Sequence, residues 1–276
     1  MEAFVAAAQR HLAAYKLKHL EIRENGTWGR PPRQYSHILP YRFRKANIIL
    51  TASADFWRLQ GERKWLLHRY FHHLSSSQAL AFNLFLPLVA RWSGAEVLLR
   101  ALGIPEGPHI ETDFEVILNS QEGTNIDVLI TVGPRMRYII EVKFTESAFG
   151  STKADKRHID KLRNVYVPLL QGRVSDQCLE PARFFREYQL LRSLSLIRPD
   201  TEDALILLLP RRHARIWRYA SRWSSDLTLG PMGRSVRVVA LENVLSCLST
   251  AQAALPAPLQ HYVEELVCKY SVPPAG

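Results

Sequence analysis

The chain is poor in cysteine, and this shortage excludes several kinds of site. Its 276 residues include only Cys178, Cys247 and Cys268, an odd number of cysteines that lie far apart. A disulfide framework uses paired cysteines, and zinc or iron–sulfur sites use closely spaced ones. Neither kind of cysteine site is therefore expected here.

Long hydrophobic runs are also missing. A membrane-spanning helix needs about 18 consecutive apolar residues, whereas the longest runs here are 84–90 and 204–210. A secretory signal is not expected either, because Gln9, Arg10 and His11 interrupt the short apolar stretch near the first residue. We therefore expect a cytoplasmic protein that does not cross a membrane.

Acidic residues are in deficit. The sequence has 26 Asp and Glu against 36 Lys and Arg, which gives a net charge of +10. A basic chain favours a polyanionic partner, nucleic acid first and an anionic membrane surface second, although many basic proteins bind neither. Apolar residues make up 47% of the chain, enough for a folded core.

Hydrophobic periodicity predicts an α/β fold with one mixed β-sheet flanked by helices. Short Val- and Ile-rich segments separated by glycine predict an antiparallel three-strand meander, and the fully apolar run 204–209 predicts a strand that is buried on both faces. The predicted helices are 2–20, 54–73, 78–92, 95–102, 181–197, 211–223 and 256–270, and the predicted strands are 112–119, 125–132, 137–145, 204–209 and 236–241. Residues 25–42 and 151–164 are expected to be an extended connection and a basic segment.

Charged residues occur where the meander strands are otherwise apolar. In the segment 138–144, alternation buries Tyr138, Ile140 and their neighbours on one face and leaves Glu141 and Lys143 on the other, roughly 7 Å apart. In the preceding strand the same alternation separates Asp127 from its apolar neighbours. Charges in such a place need compensation. A divalent cation held by two carboxylates beside an ammonium group would supply it.

Asp127 followed by Glu141-Val142-Lys143 resembles the PD-(D/E)xK, or restriction-endonuclease-like, nuclease superfamily. The order helix, three strands, helix, strand over residues 75–210 matches the core of that superfamily, and the segments 75–88 and 141–150 are similar to a bacterial branch of predicted endonucleases. Ile126 stands where the superfamily usually has proline. The resemblance implies a nuclease-like domain over 75–276 with a helical N-terminal extension, residues 1–74.

The resemblance also implies a mechanism. Asp127 and Glu141, helped by the Val142 carbonyl, would bind Mg²⁺ or Mn²⁺, hard cations that prefer oxygen ligands. Lys143 would orient the attacking water and stabilise charge at the phosphorus atom, and a bound metal would depress its pKa. The expected products carry a 5′-phosphate and a 3′-hydroxyl group.

Alternation places Glu115 on the face opposite its apolar neighbours, where it is either a further catalytic carboxylate beside Asp127 or a solvated strand residue. Residues directly opposite in an antiparallel pair share a face. Asp127 and Glu141 can therefore meet only if their hairpin loop has an odd number of residues, for example 133–135, or contains a bulge.

Other candidates come from the helices. Gln78 and Asn83 are polar in an apolar helix, and one of them is a candidate for reaching the metal or substrate; the alternative for Gln78 is a capping role. Gln189 resembles the glutamine often found on the helix after the catalytic strands, and an exposed position is the alternative. His68 and His72 have helical spacing but no further zinc ligands, so we expect an amphipathic helix there.

Two basic runs suit contacts to phosphates, although such runs are often only solvated faces. The first run contains Lys153, Lys156, Arg157, Lys161 and Arg163, and the second contains Arg211, Arg212, Arg215, Arg218 and Arg222 beside Trp217, Tyr219 and Trp223. Lys153, Lys156, Arg157 and Arg215, with Gln78 and Gln189, are the predicted nucleic-acid-binding residues.

Together these features predict a metal-dependent endonuclease that acts on DNA. Two alternatives stay open: a nucleic-acid-binding or assembly protein that keeps the fold without cutting, and a nuclease that acts on RNA. A homodimer is compatible with the sequence, which does not set the oligomeric state.

Overall fold

The computed structural model describes residues 2–107, 109–118, 123, 125–199, 201–226 and 235–274, with backbone only for 224–226. The helices are α1 Ala3–His19, α2 Leu50–Arg63, α3 Ser77–Val89, α4 Val97–Ala101, α5 Lys156–Lys161, α6 Val167–Leu170, α7 Pro181–Arg186, α8 Tyr188–Ser195, α9 Ala214–Asp226, α10 Leu241–Ala251 and α11 Ala257–Tyr270. Short 3₁₀ turns cover Tyr41–Asn47, Asp176–Cys178 and Gln252–Ala254, and a π-helical turn covers Leu162–Tyr166. The strands are β1 Gly26–Trp28, β2 Arg33–Tyr35, β3 Ile110–Val116, β4 Ile126–Val132, β5 Met136–Val142, β6 Ala204–Leu209 and β7 Val236–Ala240.

A mixed five-stranded sheet forms the centre, in the order β3-β4-β5-β6-β7. The first three strands are the antiparallel meander that the sequence predicts, and β5, β6 and β7 run parallel. Parallel neighbours need a crossover connection, and helices α5 to α8 supply one between β5 and β6. The α/β prediction with one mixed sheet is confirmed.

Helices cover both faces of the sheet, which gives three layers. One apolar cluster joins Val128, Ile140 and Ile206 to helices α1 to α4, α10 and α11, and a second joins Ile139 and Leu205 to α5 to α9. Every residue of β6 is buried, as its apolar run predicts. The alternation predicted for β5 is confirmed, since its Tyr138 and Ile140 face lies in the first cluster.

The N-terminal region shares this core. Phe4, Leu12 and Ile48 belong to the same apolar cluster as α3 and the sheet, and the Phe4 ring lies 6.1 Å from that of Phe144. The division into segments 1–74 and 75–276 stays a prediction. The packing shows that helices α1 and α2 form part of the layer on which the sheet rests.

The structure differs from two of the predicted helices and from the predicted basic segment. Helix α2 ends at Arg63 rather than near 73, because Lys64 adopts a left-handed conformation (φ 55°) and irregular backbone follows. The predicted helix 181–197 is divided at Glu187, which has a non-helical φ of −108°. The basic segment 151–164 contains helix α5, capped by Asp155, whose side chain accepts a bond from His158 N.

Helix α10 was not predicted, although its buried residues have helical spacing: Leu241, Val244, Leu245 and Leu248.

Among the described residues, no helix is both long enough and apolar enough to cross a bilayer.

Lys269 on α11 is fully buried beneath α1 and donates hydrogen bonds to the backbone oxygen and to Oδ1 of Asn47, the latter at 2.7 Å. Burial lowers its pKa from 10.5 to about 7, against the opposing influence of Glu265. The neutral amine still has enough donors for both bonds.

This burial predicts a stability that rises with pH. Between pH 7 and 10.5 the unfolded chain binds the proton that the folded chain has released at Lys269, so the free energy of unfolding increases by up to ~1.4 kcal/mol per pH unit. Below pH 7 both states are protonated and this increase ends. Urea unfolding from pH 6 to 9 should show a shallower slope for Lys269→Met, whereas the exposed Lys18→Met control should keep the wild-type slope. Equal slopes for all three proteins would contradict this prediction.

Candidate functional site

The β4–β5 hairpin aligns the two predicted carboxylates. Val132 pairs with Met136, so the loop is the three residues 133–135, and the register continues through Val128 opposite Ile140. The same register sets Asp127 opposite Glu141, on one face of the sheet. Gly133, with a φ of 58°, provides the left-handed conformation that this short loop uses. The prediction of an odd-length loop is confirmed.

The adjacent strand adds Glu115 to this row. Phe114 pairs with Val128 and Val116 with Ile126, so Glu115 lies opposite Asp127. Its φ of 53° is a left-handed conformation that residues other than glycine rarely adopt, and such local strain is often concentrated at functional sites. Three neighbouring strands therefore bring three carboxylates into one row.

Polar contacts restrain Asp127 at the middle of the row. Its Oδ2 accepts a hydrogen bond from Val142 N at 2.8 Å. Withdrawal from water raises the pKa of Asp127 well above 3.8, and the carboxylates of Glu141 and Glu115 raise it further, while Lys143 opposes them. Bringing these acids together without a cation therefore costs free energy.

Lys143 supplies the nearest positive charge. It is 8% exposed, and its Nζ donates a hydrogen bond to Glu141 Oε1 at 2.6 Å. Burial alone would lower the pKa of Lys143, but Glu141 and Asp127 outweigh it and raise the pKa above its usual value. The side chain is therefore an ammonium group at neutral pH.

Gln189 on α8 joins this pair to the loop that follows β5. Its Nε2 donates a short hydrogen bond to Glu141 Oε1, and its Oε1 accepts bonds from Lys143 Nζ at 3.3 Å and Gly150 N at 2.9 Å. Its backbone N also donates to Gly150 O at 3.1 Å. The interpretation of Gln189 as a merely exposed residue is therefore wrong, and the side chain orients both Glu141 and Lys143.

The two polar residues of α3 have different roles. Gln78 Nε2 donates to Glu115 Oε1 at 2.8 Å, and its Oε1 accepts a bond from His68 N at 2.7 Å. The helix cap is Ser76 instead. Asn83 is fully buried and bonds to Tyr270 and to the 47–49 backbone, so its role is structural.

Two of the three carboxylates, those of Glu115 and Asp127, line a cleft of about 1340 Å³. The lining also includes four arginines: Arg186, Arg215, Arg218 and Arg222. The last three follow helical spacing on α9, so periodicity could have identified Arg218 and Arg222 together with the predicted Arg215; nothing in the sequence singled out Arg186.

The other predicted basic residues lie elsewhere. Lys156 and Arg157 line a separate surface depression beside α5, and exposed Lys153 is not among the residues that line the cleft. A run of basic residues does not show where each side chain points, so the sequence could not tell which of these residues face the cleft. A nucleic-acid contact by these three residues stays a prediction.

The donor atoms in the row suit a hard cation. Within the described part of the chain, Asp127 Oδ1 and Glu141 Oε2 make no hydrogen bond, whereas both oxygens of Glu115 accept bonds, from Gln78 and Asn125. No group of three or more His, Cys, Asp and Glu side chains among the described residues is arranged to hold a metal. Mg²⁺ often takes only one or two carboxylates and keeps several waters, so the Asp127 and Glu141 pair fits that mode.

Comparison with known proteins identifies the family. No curated protein and no solved structure matches the chain. The family model described as "Restriction Endonuclease associating with ARP" (REase-ARP) matches residues 9–271, from α1 to the end of α11, and so includes the cleft and all five strands of the central sheet. The chain belongs to this REase-ARP family of restriction endonucleases.

Proposed function

We propose that the protein is a metal-dependent endonuclease that hydrolyses phosphodiester bonds of DNA. The observation that carries this proposal is the register that sets Asp127 opposite Glu141, with the Lys143 ammonium 2.6 Å from Glu141. Membership of a restriction endonuclease family supports a nucleic-acid substrate. The four arginines that line the cleft offer charges for the phosphates of that substrate.

Asp127 and Glu141, with the Val142 carbonyl, would hold Mg²⁺ or Mn²⁺. When bound, such a cation polarises the phosphate and lowers the pKa of a bound water. Lys143 would donate hydrogen bonds to the attacking water and to the phosphate oxygens as negative charge grows there. Gln189 keeps Lys143 and Glu141 in place through its bonds to both.

In the hydrolysis, the water oxygen forms a bond to phosphorus and the bond from phosphorus to the 3′-oxygen breaks. The leaving oxygen takes up a proton, which gives a 3′-hydroxyl and a 5′-phosphate. Glu115 is proposed as a positioning residue that acts through Asp127, because it lies next to that residue and Gln78 and Asn125 hold its oxygens.

The first test removes the metal and one ligand. Purified protein with Mg²⁺ or Mn²⁺ should cleave plasmid DNA, and excess EDTA should stop the cleavage. Glu141→Gln should lower the rate by about 10²-fold or more, because it removes a charged ligand. Titration calorimetry should detect Mn²⁺ uptake by the wild type and its loss in Glu141→Gln.

The chain offers a matched control in Glu62, which also precedes a lysine by two residues. Glu62 is exposed on α2 and pairs with Arg58 at 3.0 Å, away from the cleft. Glu62→Gln should therefore keep both cleavage and metal uptake. Wild-type protein that takes up no metal and cuts neither DNA nor RNA would favour the alternative of a non-cutting binding protein.

A further inference from the structure

Part of the cleft lining is built of aromatic rings from the N-terminal region. Trp28 at the end of β1, with Tyr70 and His73 from the irregular segment 64–76, lines the cleft that also holds Asp127. We call Trp28, Tyr70 and His73 the aromatic wall. Residues of the N-terminal region 1–74 therefore form part of the cleft lining.

The rings of the aromatic wall support one another and leave a face open. Trp28 meets Tyr70 and His73 edge to face, with ring centroids 6.4 Å apart in both cases. Trp28 is nevertheless 46% exposed, which is unusual for so large an apolar side chain. An exposed indole held in place by its neighbours is a ready surface for stacking a flat ring.

The charge of the aromatic wall favours a base over a phosphate. Burial, together with the smaller influence of the neighbouring His72, lowers the pKa of His73 to about 4, so the ring is neutral at pH 7. The Arg69 guanidinium lies 4.5 Å from the Tyr70 centroid, where it makes a cation–π contact. The three rings of the wall therefore present uncharged surface to the cleft.

Gln78 links the aromatic wall to the carboxylate row. Its side chain bonds to Leu66 O at 2.9 Å and to His68 N, in the segment that carries Tyr70 and His73, and also to Glu115. The same amide thus holds both the segment and one of the acids. A nucleotide whose phosphate approached Asp127 would have its base within the same cleft as Trp28.

Arginines from α7 and α9 and neutral rings from β1 and the segment 64–76 line one cleft, which suits a strand whose phosphates contact the arginines and whose bases contact the rings. Paired bases inside a duplex cannot stack on protein rings, whereas the bases of a single strand can. We propose that the aromatic wall stacks an unpaired base of the DNA strand that is cut, so that the substrate class is single-stranded DNA or DNA with an unpaired nucleotide beside the scissile phosphate. This inference rests on the proposed function.

Binding in EDTA separates stacking from cleavage. Fluorescence anisotropy would compare a short single-stranded oligonucleotide with the blunt duplex of the same sequence. Trp28→Ala should weaken single-strand binding by about tenfold or more and change duplex binding by less than about twofold. Trp28→Phe should retain most of the affinity, because it keeps an aromatic face.

Tyr41 supplies the control, because it is 62% exposed but does not line the cleft. Tyr41→Ala should change neither affinity, and circular dichroism would confirm that each variant is folded. Equal losses on both DNA forms, or no loss on the single strand, would overturn stacking even if the wild type cleaves DNA. Tighter binding of RNA than of DNA of the same sequence would overturn the choice of DNA.

A selective loss of single-strand binding in Trp28→Ala, from a protein that cuts no DNA, would leave stacking supported and refute the proposed hydrolysis. The two proposals can therefore fail independently.

Discussion

Asp127→Asn should slow DNA cleavage strongly and at the same time make the protein more stable. The rate should fall by about 10²- to 10³-fold, because the substitution removes one of the two anionic oxygens that we propose hold the cation. The pKa of Asp127 is raised by burial and by Glu141, so its ionised form is destabilised in the folded state. A neutral amide removes that penalty while its oxygen still accepts the bond from Val142 N.

We expect the free energy of unfolding to increase, because the neutral amide avoids the cost of ionising a carboxyl group whose pKa is raised in the folded state. Plasmid cleavage in Mg²⁺ and urea unfolding in EDTA at pH 7 would measure the two effects. A substitution that raises stability and lowers activity is typical of a site whose charged groups are destabilised until a ligand binds. A less stable Asp127→Asn protein would show that the acid is held by structural contacts instead.

Lys143→Met provides the contrast, because it should lose both activity and stability. Glu141, 3% exposed, would keep its charge without the ammonium group that now accompanies it, and breaking such a buried pair costs about 3–5 kcal/mol. Adding Glu141→Gln should recover part of that loss, which a double-mutant cycle would measure. Recovery by the second substitution would show that the two charges stabilise each other directly.

The central part of this site follows from sequence alone. Period-two alternation places Asp127 and Glu141 on the faces that the structure shows, and the rule for antiparallel pairs predicts the odd loop that the register contains. Gln189 was identified through the family resemblance rather than through any local pattern. Strand alternation and hairpin register are local properties, which explains why they could be predicted.

The rest of the cleft depends on contacts between distant segments. Trp28 belongs to a three-residue strand, too short to show a period, and Tyr70 and His73 follow the unexpected end of α2 at Arg63. The predicted helix 54–73 failed because Leu66 and its apolar neighbours match helical spacing, whereas tertiary packing selects irregular backbone. Helical spacing of apolar residues therefore did not show that the helix ends at Arg63.

Asp203→Ala should be the most destabilising single substitution outside the site. Asp203 is 2% exposed, just before β6, and both oxygens accept hydrogen bonds from Arg137 on β5 and Arg198 after α8. The backbone N groups of both arginines also donate to it, at 3.0 and 3.1 Å. Its carboxylate therefore ties together the start of β5, the end of the crossover and the start of β6.

Removing a buried, fully paired charge costs about 3–5 kcal/mol, because the partner groups are left unsatisfied. Burial opposes ionisation, but the bonds from Arg198 and Arg137 outweigh it and lower the pKa of Asp203 from 3.8 to about 2. About 2 kcal/mol of stability is therefore present above pH 4 and is lost as the pH falls through 2. Urea unfolding at pH 7 and acid unfolding would measure the two effects.

The neighbouring Glu202 is the matched control, since it is exposed one residue earlier. Glu202→Ala should change the free energy of unfolding by less than about 0.5 kcal/mol. Because the carboxylate row lies at the opposite end of β5, Asp203→Ala protein that is still folded at low temperature should bind Mn²⁺ as the wild type does. Equal destabilisation by the two substitutions would mean that the network around Asp203 does not hold β5 and β6 together.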